Sequence, residues 1–343
     1  MQVFVNLPAR WEITERVLSS FACSGGSQIE RSGGRMKILL AGSTGAIGLR
    51  IVSRLRAERQ SLIGIAHSAS AAHGLAEAGI ESVIADALDA KSVTDAIRRV
   101  RPDVIINELT ALPKHYTAAS MREAAQRDRT VRLEGNANLL SAAQSFGVRR
   151  YILQSSAFWY APGSGLADET VAFAFDATPA IASGTRTYAN LESSLAASSG
   201  ILERVVLRYG FFYGPGAWYS KEGDMGKQIR QRQVPVIGEG RGVWSFVHVE
   251  DAAAATGAAL YSAPGIYNVV DDDPSEQRLW LPAFARSVGG SEPLNITEEQ
   301  ALQSAGVDGV YYATRLRGAS NEKAKRALNF RPRPLEWLPV KRS

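Results

Sequence analysis

The chain has 343 residues, of which 45% are hydrophobic and 21% charged, with a formal net charge of +5 and one cysteine, Cys23. That length can bury a large core, and the composition is that of a soluble globular protein. Scattered arginines without interleaved aromatics argue against nucleic acid, and a lone cysteine excludes a disulfide framework or a cysteine-built metal site. Nothing approaches the ~20 apolar residues of a membrane span, so a reducing cytoplasm is the expected setting.

Residues 1–35 read as a disordered extension ahead of the fold. Arg31-Ser32-Gly33-Gly34-Arg35 is linker-like, and charges and prolines interrupt every apolar run, so there is no signal-peptide core. Met36 to Ala41 then reads as an apolar strand running into Gly42-Ser43-Thr44-Gly45-Ala46-Ile47-Gly48, with a helix from Leu49 to Leu55. Glycines at 42, 45 and 48 allow a tight turn and close approach to a pyrophosphate, which the free N–H groups of the helix amino end would hold. This is a dinucleotide cradle, although the glycine pattern alone has low specificity.

Strand and helix alternate from there. Strands are expected at 61–66, 81–85, 104–107, 151–154, 205–207 and 267–270, and helices at 69–78, 90–99, 121–146, 192–199 and 252–261. Short Ile/Val/Leu runs suit a parallel sheet covered on both faces, so the fold class is α/β, a Rossmann-type doubly wound sheet. Residues 36–215, with a contribution from 244–270, form the dinucleotide-binding domain on this reading. Residues 216–243 and 271–343 break the rhythm and form a small substrate-binding lobe.

In order along the chain come Gly42-x-x-Gly45-x-x-Gly48, Asp86-Ala87-Leu88-Asp89, and Ser155-Ser156 with Trp159-Tyr160. Leu207-Arg208-Tyr209-Gly210, Tyr213-Gly214-Pro215-Gly216, Phe246-Val247-His248-Val249-Glu250-Asp251-Ala252 and Asn321 to Leu328 follow. Over about residues 36–335 this series resembles the short-chain dehydrogenase/reductase superfamily, in the extended or atypical branch of NAD-dependent epimerases and dehydratases. The resemblance implies an NAD(P)-dependent oxidoreductase. It places Asp86 and Ala87 at the adenine, and Leu109, Thr110, Ala111, Tyr213, Gly214 and Pro215 around the nicotinamide ribose. It implies a homodimer through the long helices and an aspartate, Asp251, capping the helix after the Val-x-Asp turn, while the composition alone speaks against a membrane or nucleic-acid partner. At the end of the second strand, where the cofactor is chosen, stand His67 and Ser68. There is no carboxylate to repel a 2′-phosphate, so NADP is favoured over NAD.

Family enzymes use a Ser or Thr, a Tyr, and a Lys four residues after the Tyr. Ser156, four before Tyr160, matches the serine that binds the substrate oxygen, and Tyr188 is the candidate proton donor. Glu192 then stands where lysine belongs; in a shifted register Tyr188 takes the lysine position and Gly184 the tyrosine position. No lysine occurs between Lys114 and Lys221 in either case. A phenol without a neighbouring ammonium keeps a high pKa, Glu192 would raise it further, and Arg186 offers a substitute positive field. Three readings follow: a reductase that works more slowly or uses another acid such as Tyr160 or Tyr213, a redox-neutral lyase, dehydratase or cyclase, or a non-catalytic NAD(P)-binding sensor or interaction protein.

Sugar nucleotides are disfavoured as substrates. Phe211 replaces an asparagine that those enzymes set against the nucleotide, and Trp244-Ser245-Phe246 lacks their arginine, which clamps a diphosphate. Trp159, Tyr160, Phe211, Phe212, Trp218 and Trp244 are instead the expected substrate surface, suited to a small apolar or aromatic carbonyl or hydroxyl compound.

Overall fold

The computed structural model describes residues 35–113 and 115–338. The expected extension lies outside them apart from Arg35. The central strands are β1 (Lys37–Ala41), β2 (Ser61–Ala66), β3 (Glu81–Ile84), β4 (Val104–Asn107), β5 (Arg150–Ser156), β6 (Glu203–Tyr209) and β11 (Gly265–Val269). These seven pair in parallel in the order β11-β6-β5-β4-β1-β2-β3. The order reverses between β1 and β4, and the crevice at the carboxyl ends of those strands is where such sheets place ligands.

Helices cover both faces, as the uninterrupted apolar strands demand. Against one face lie α3 (Ala90–Val100), α4 (Ala118–Ser145) and α5 (Pro179–Ala196), through Ile97, Leu139, Leu191 and Leu195. The other face carries α1 (Ala46–Ala57), α2 (Ala69–Glu77) and α7 (Val249–Ala258), through Ile51, Leu55, Leu75 and Ala252. The last described helix, α11 (Glu322–Leu328), also packs on that face through Ala324 and Leu328, so this part of 271–343 belongs to the sheet unit.

The rest forms a lobe. It comprises α6 (Asp224–Arg230), α8 (Gln277–Ser287), α9 (Glu298–Ser304) and α10 (Gly306–Thr314), with three two-stranded pieces. These pair β7 (Phe211–Tyr213) with β10 (Phe246–His248), β9 (Val243–Trp244) with β12 (Ser275–Glu276), and β8 (Val236–Ile237) with β13 (Asn295–Ile296). The lobe core is aromatic, with Tyr219, Trp244, Phe246, Trp280 and Phe284 buried in contact.

Two local expectations are corrected. The helix expected at 192–199 runs from Pro179 to Ala196. Its first half, rich in Ser, Gly and Thr, has weak intrinsic propensity, and Thr185 and Thr187 bond back to the Ala182 and Ser183 carbonyls instead of interrupting the helix. The cap of α7 is His248, whose Nδ1 accepts the Glu250 N–H at 3.1 Å. Asp251 instead binds the Arg333 guanidinium at 3.0 and 3.1 Å. Burial pushes the His248 imidazolium pKa down, which keeps Nδ1 an acceptor.

Candidate active site

The glycine turn is built for close approach. Gly42 has φ +89°, and a Cβ there would meet the Glu108 carbonyl oxygen at 2.4 Å. A Cβ on Gly48 would stand 2.1 Å from the Gly42 oxygen, so neither position tolerates a side chain. Gly45 donates to the Gly42 carbonyl at 3.1 Å and begins α1 with no side-chain cap, whereas Ser68, Asp89 and Thr117 cap α2, α3 and α4. The uncapped amino end leaves the first N–H groups of Ala46, Ile47 and Gly48 for an anion. Ser43 Oγ is buried beside the turn with no hydrogen-bond partner among the described residues, and exposed Thr44 lies at its tip. An uncapped helix end, a cradle closed to any Cβ and an orphaned hydroxyl together fit a dinucleotide pyrophosphate.

The other expected cofactor residues line the same edge. His67 is exposed after β2, and Ser68 spends its oxygen on the Ala71 N–H at 3.2 Å while keeping a proton to donate. Asp86 is exposed after β3, its carboxylate accepting Leu88 N–H at 3.0 Å, and the Ala87 carbonyl is held by Asn138 at 2.9 Å. Leu109 and Ala111 are positioned by Asn107 Oδ1 at 3.1 Å and Asp128 Oδ1 at 2.7 Å, with exposed Thr110 between them. Tyr213 is buried edge-on to His248, and Gly214, at φ +98°, has no room for a Cβ against that imidazole. The Pro215 carbonyl accepts from Arg50 at 3.3 Å.

Sequence reasoning missed Glu108. It is buried beneath the glycine turn, with Oε1 3.3 Å from the Tyr209 hydroxyl, which lies 2.6 Å from Thr256 Oγ1. Its Oε2 has no partner among the described residues. Burial pushes its pKa up to about 8, so at neutral pH it puts little negative charge under the phosphate cradle. The signal was present as an acidic residue closing the apolar run Val104-Ile105-Ile106-Asn107.

The catalytic region departs furthest from expectation. Glu192 does not act on Tyr188. Its carboxylate grips Arg208 of β6 at 2.8 and 2.6 Å and accepts from Ser155 at 2.6 Å, all three buried. Arg186 is exposed; the positive group at Tyr188 is Arg132 of α4, whose guanidinium sits 5.1 Å from the ring centroid, held by Asp128 at 2.8 Å. Burial raises the Tyr188 pKa, and Arg132 opposes the rise. At Gly184 a Cβ would fall 2.4 Å from the Trp159 indole, so the ring fills the place where a side chain would stand. The same indole lies 5.6 Å from Tyr188 and donates to the Tyr312 hydroxyl at 2.9 Å. Ser156 is buried at the end of β5, its Oγ 3.4 Å from the Phe158 N–H.

The aromatic set divides. Tyr160 is buried, bonding Asn268 at 2.6 Å and Arg208 at 2.8 Å, so its hydroxyl is engaged in the interior. Phe212 packs 5.2 Å from Tyr209 on the α1/α7 face. Trp244 is buried behind Phe211 at 4.4 Å. Trp159, Phe211 and Trp218 are half-buried, joined by Phe158, Tyr116 and Tyr312. Phe158 stacks on Phe211 at 4.3 Å, and Tyr116 lies 4.6 Å from Trp218.

The sheet order and the uncapped glycine turn define a Rossmann-type dinucleotide-binding protein. The model of the NAD dependent epimerase/dehydratase family matches residues 38–269. A relative from a Streptomyces species, named 3-diazoavenalumate denitrifying reductase, is 37% identical over 305 residues, covering 88% of this chain and 98% of that protein. The UDP-glucose 4-epimerase of Thermus thermophilus, solved with NAD, superposes with a TM-score of 0.67 at 24% identity, over 87% of this chain and 94% of that one. The dTDP-glucose 4,6-dehydratase of Bacillus anthracis, also with NAD, gives 0.65 at 15% identity, over 87% and 92%. This chain belongs to the NAD-dependent epimerase/dehydratase family and is an NAD(P)-dependent enzyme.

Proposed function

We propose that the enzyme is a reductase of small aromatic compounds whose acceptor atom needs hydride but leaves no oxyanion to be protonated. The observation that carries this reading is that neither register supplies the Tyr-Lys pair: the Trp159 indole stands at Gly184, and no lysine occurs between Lys114 and Lys221. A carbonyl acceptor needs a proton as its oxygen gains charge, which the family's Tyr-Lys pair provides. A diazo-bearing ring carbon does not: a C–H bond forms with the hydride, and the C–N bond breaks with its electrons leaving on dinitrogen. The name of the Streptomyces relative, a denitrifying reductase of a diazo compound, supports that acceptor class. A bound reduced nicotinamide supplies the hydride.

The chain's own residues then bind and orient. The glycine turn and the amino end of α1 hold the pyrophosphate. Half-buried Trp159 and Phe158 offer ring faces for stacking, and Phe211, covered by Phe158 and Trp244, backs them. Arg132 sets a positive field at Tyr188, which suits an electron-rich substituent on the substrate. NADPH is the preferred donor on this reading, because Ser68 keeps a hydroxyl proton and no carboxylate stands at the end of β2.

The test is oxidation of NADPH and NADH with aryldiazonium salts, aryl aldehydes and nucleotide sugars, each against the enzyme-free rate. Turnover of the diazonium compounds, with dinitrogen released one for one and a lower KM for NADPH, is expected. Turnover of a nucleotide sugar would overturn the substrate class. Exclusive turnover of aldehydes would favour the second reading, a carbonyl reductase using the Tyr188 hydroxyl under Arg132.

A further inference from the structure

We propose that Tyr312 recognises an oxygen carried on the aromatic ring of the substrate, by donating its phenolic hydrogen to that oxygen. The inference rests on the aromatic-substrate reading and extends it to a residue of the lobe.

An indole N–H only donates, so the 2.9 Å bond from Trp159 Nε1 uses the Tyr312 oxygen as acceptor. The Tyr312 hydrogen must therefore point elsewhere, and no described residue accepts it. The ring is also fixed in place. Trp244 Nε1 donates to the Tyr312 backbone carbonyl at 3.0 Å, and Gly242 N–H donates to the Ala313 carbonyl at 2.7 Å. Asp308, on the same helix α10, takes a hydrogen bond from Thr178 at the start of α5. Two tryptophans and a helix contact thus hold a phenol whose proton has no partner among the described residues.

Its surroundings say where that proton points. Tyr312 is half-buried, 6.2 Å from Phe211 and 5.6 Å from Trp244 by ring centroid, and it shares Trp159 with Tyr188. A ring seated on Trp159, beside the Phe211 edge, would bring its own substituents against this hydroxyl. An unmet donor among apolar faces favours a ligand with an acceptor there and disfavours one without. Burial holds the Tyr312 phenol well above its ordinary pKa, so it remains a donor across the working pH range.

Equilibrium binding to the full chain with NADP+ present, followed by tryptophan fluorescence, separates this proposal from the reading it rests on. The probes are cinnamate, 3-hydroxycinnamate and 4-hydroxycinnamate, and the proteins are wild type, Tyr312→Phe and Trp159→Phe. Wild type should bind one hydroxylated probe about 10- to 100-fold tighter than cinnamate. Tyr312→Phe should lose that increment while keeping most of its affinity for cinnamate, with a small fall in melting temperature from the unpaired Trp159 N–H. Trp159→Phe, which frees the phenol to rotate, should lose part of it. Retention of the increment in Tyr312→Phe, equal weakening for all three probes, or no increment in wild type would overturn the proposal. Failure of wild type to bind any of the probes would instead overturn the aromatic-substrate reading.

Discussion

The Trp159 indole occupies the space a side chain at Gly184 would take, with the nearest ring atom 2.4 Å from where a Cβ would sit. Trp159 comes from the loop after β5 and Gly184 from α5, so the contact joins the sheet edge to the helix that carries Tyr188. Gly184→Ala should push the indole off Tyr312 and lower kcat/KM about 10- to 100-fold, since small misplacements near reacting groups have that effect. Cofactor binding should stay unchanged, because the glycine turn lies elsewhere on the edge. Kinetics alongside a cofactor titration check this, and a loss in both would place Gly184 in folding rather than in the site.

The glycine turn gives a prediction that does not depend on the substrate. Gly48→Ala sets a methyl 2.1 Å from the Gly42 oxygen, inside any tolerable contact. The variant should lose the rise in melting temperature that NADPH gives the wild-type enzyme. An undiminished rise would move the dinucleotide site away from this turn.

Glu108 links stability to pH. Its folded pKa is raised to about 8, so between the ordinary carboxylate value and about 8 the folded state binds a proton that the unfolded state has released. Stability contributed by the neutral carboxyl is therefore greatest at low pH and is lost as pH rises through about 8. Glu108→Gln should remove this dependence, flattening the fall in unfolding free energy between about pH 5 and 8 by up to ~1.4 kcal/mol per pH unit. Parallel slopes for the two proteins in urea titrations would contradict the assignment.

The Glu192–Arg208 pair is buried on both sides, with side chains 2% and 5% exposed. Arg208→Leu strands the carboxylate and should cost about 3–5 kcal/mol, whereas the double variant Glu192→Leu/Arg208→Leu should recover much of that. Denaturant melts of the two variants decide it, and equal losses would mean that packing outweighs charge at this site.

Much of the fold was legible because it is locally encoded. The apolar runs Val104-Ile105-Ile106 and Val205-Val206-Leu207 follow from burial on both sheet faces, and all six side chains are inaccessible. The glycine turn was legible for the same reason, since strand, turn and helix are contiguous. Roles set by distant partners were not. Glu192 read as a neighbour of Tyr188 because it stands four residues after it, where the family lysine belongs, but Arg208, sixteen residues on, takes its charge. Arg132, the group that does reach Tyr188, lies 56 residues before it on another helix. Tyr312 carries no motif at all, and only the Trp159 bond singles it out.

Hydride should reach a ring carbon of the substrate without the family's Tyr-Lys acid. The most direct measurement is turnover of an aryldiazonium salt with NADPH deuterated at the nicotinamide C4, followed by mass spectrometry and NMR of the product. One deuterium at the carbon that held nitrogen, and no solvent hydrogen there, is expected. Product carrying solvent hydrogen at that carbon, or an enzymatic rate no higher than the enzyme-free one, would contradict it.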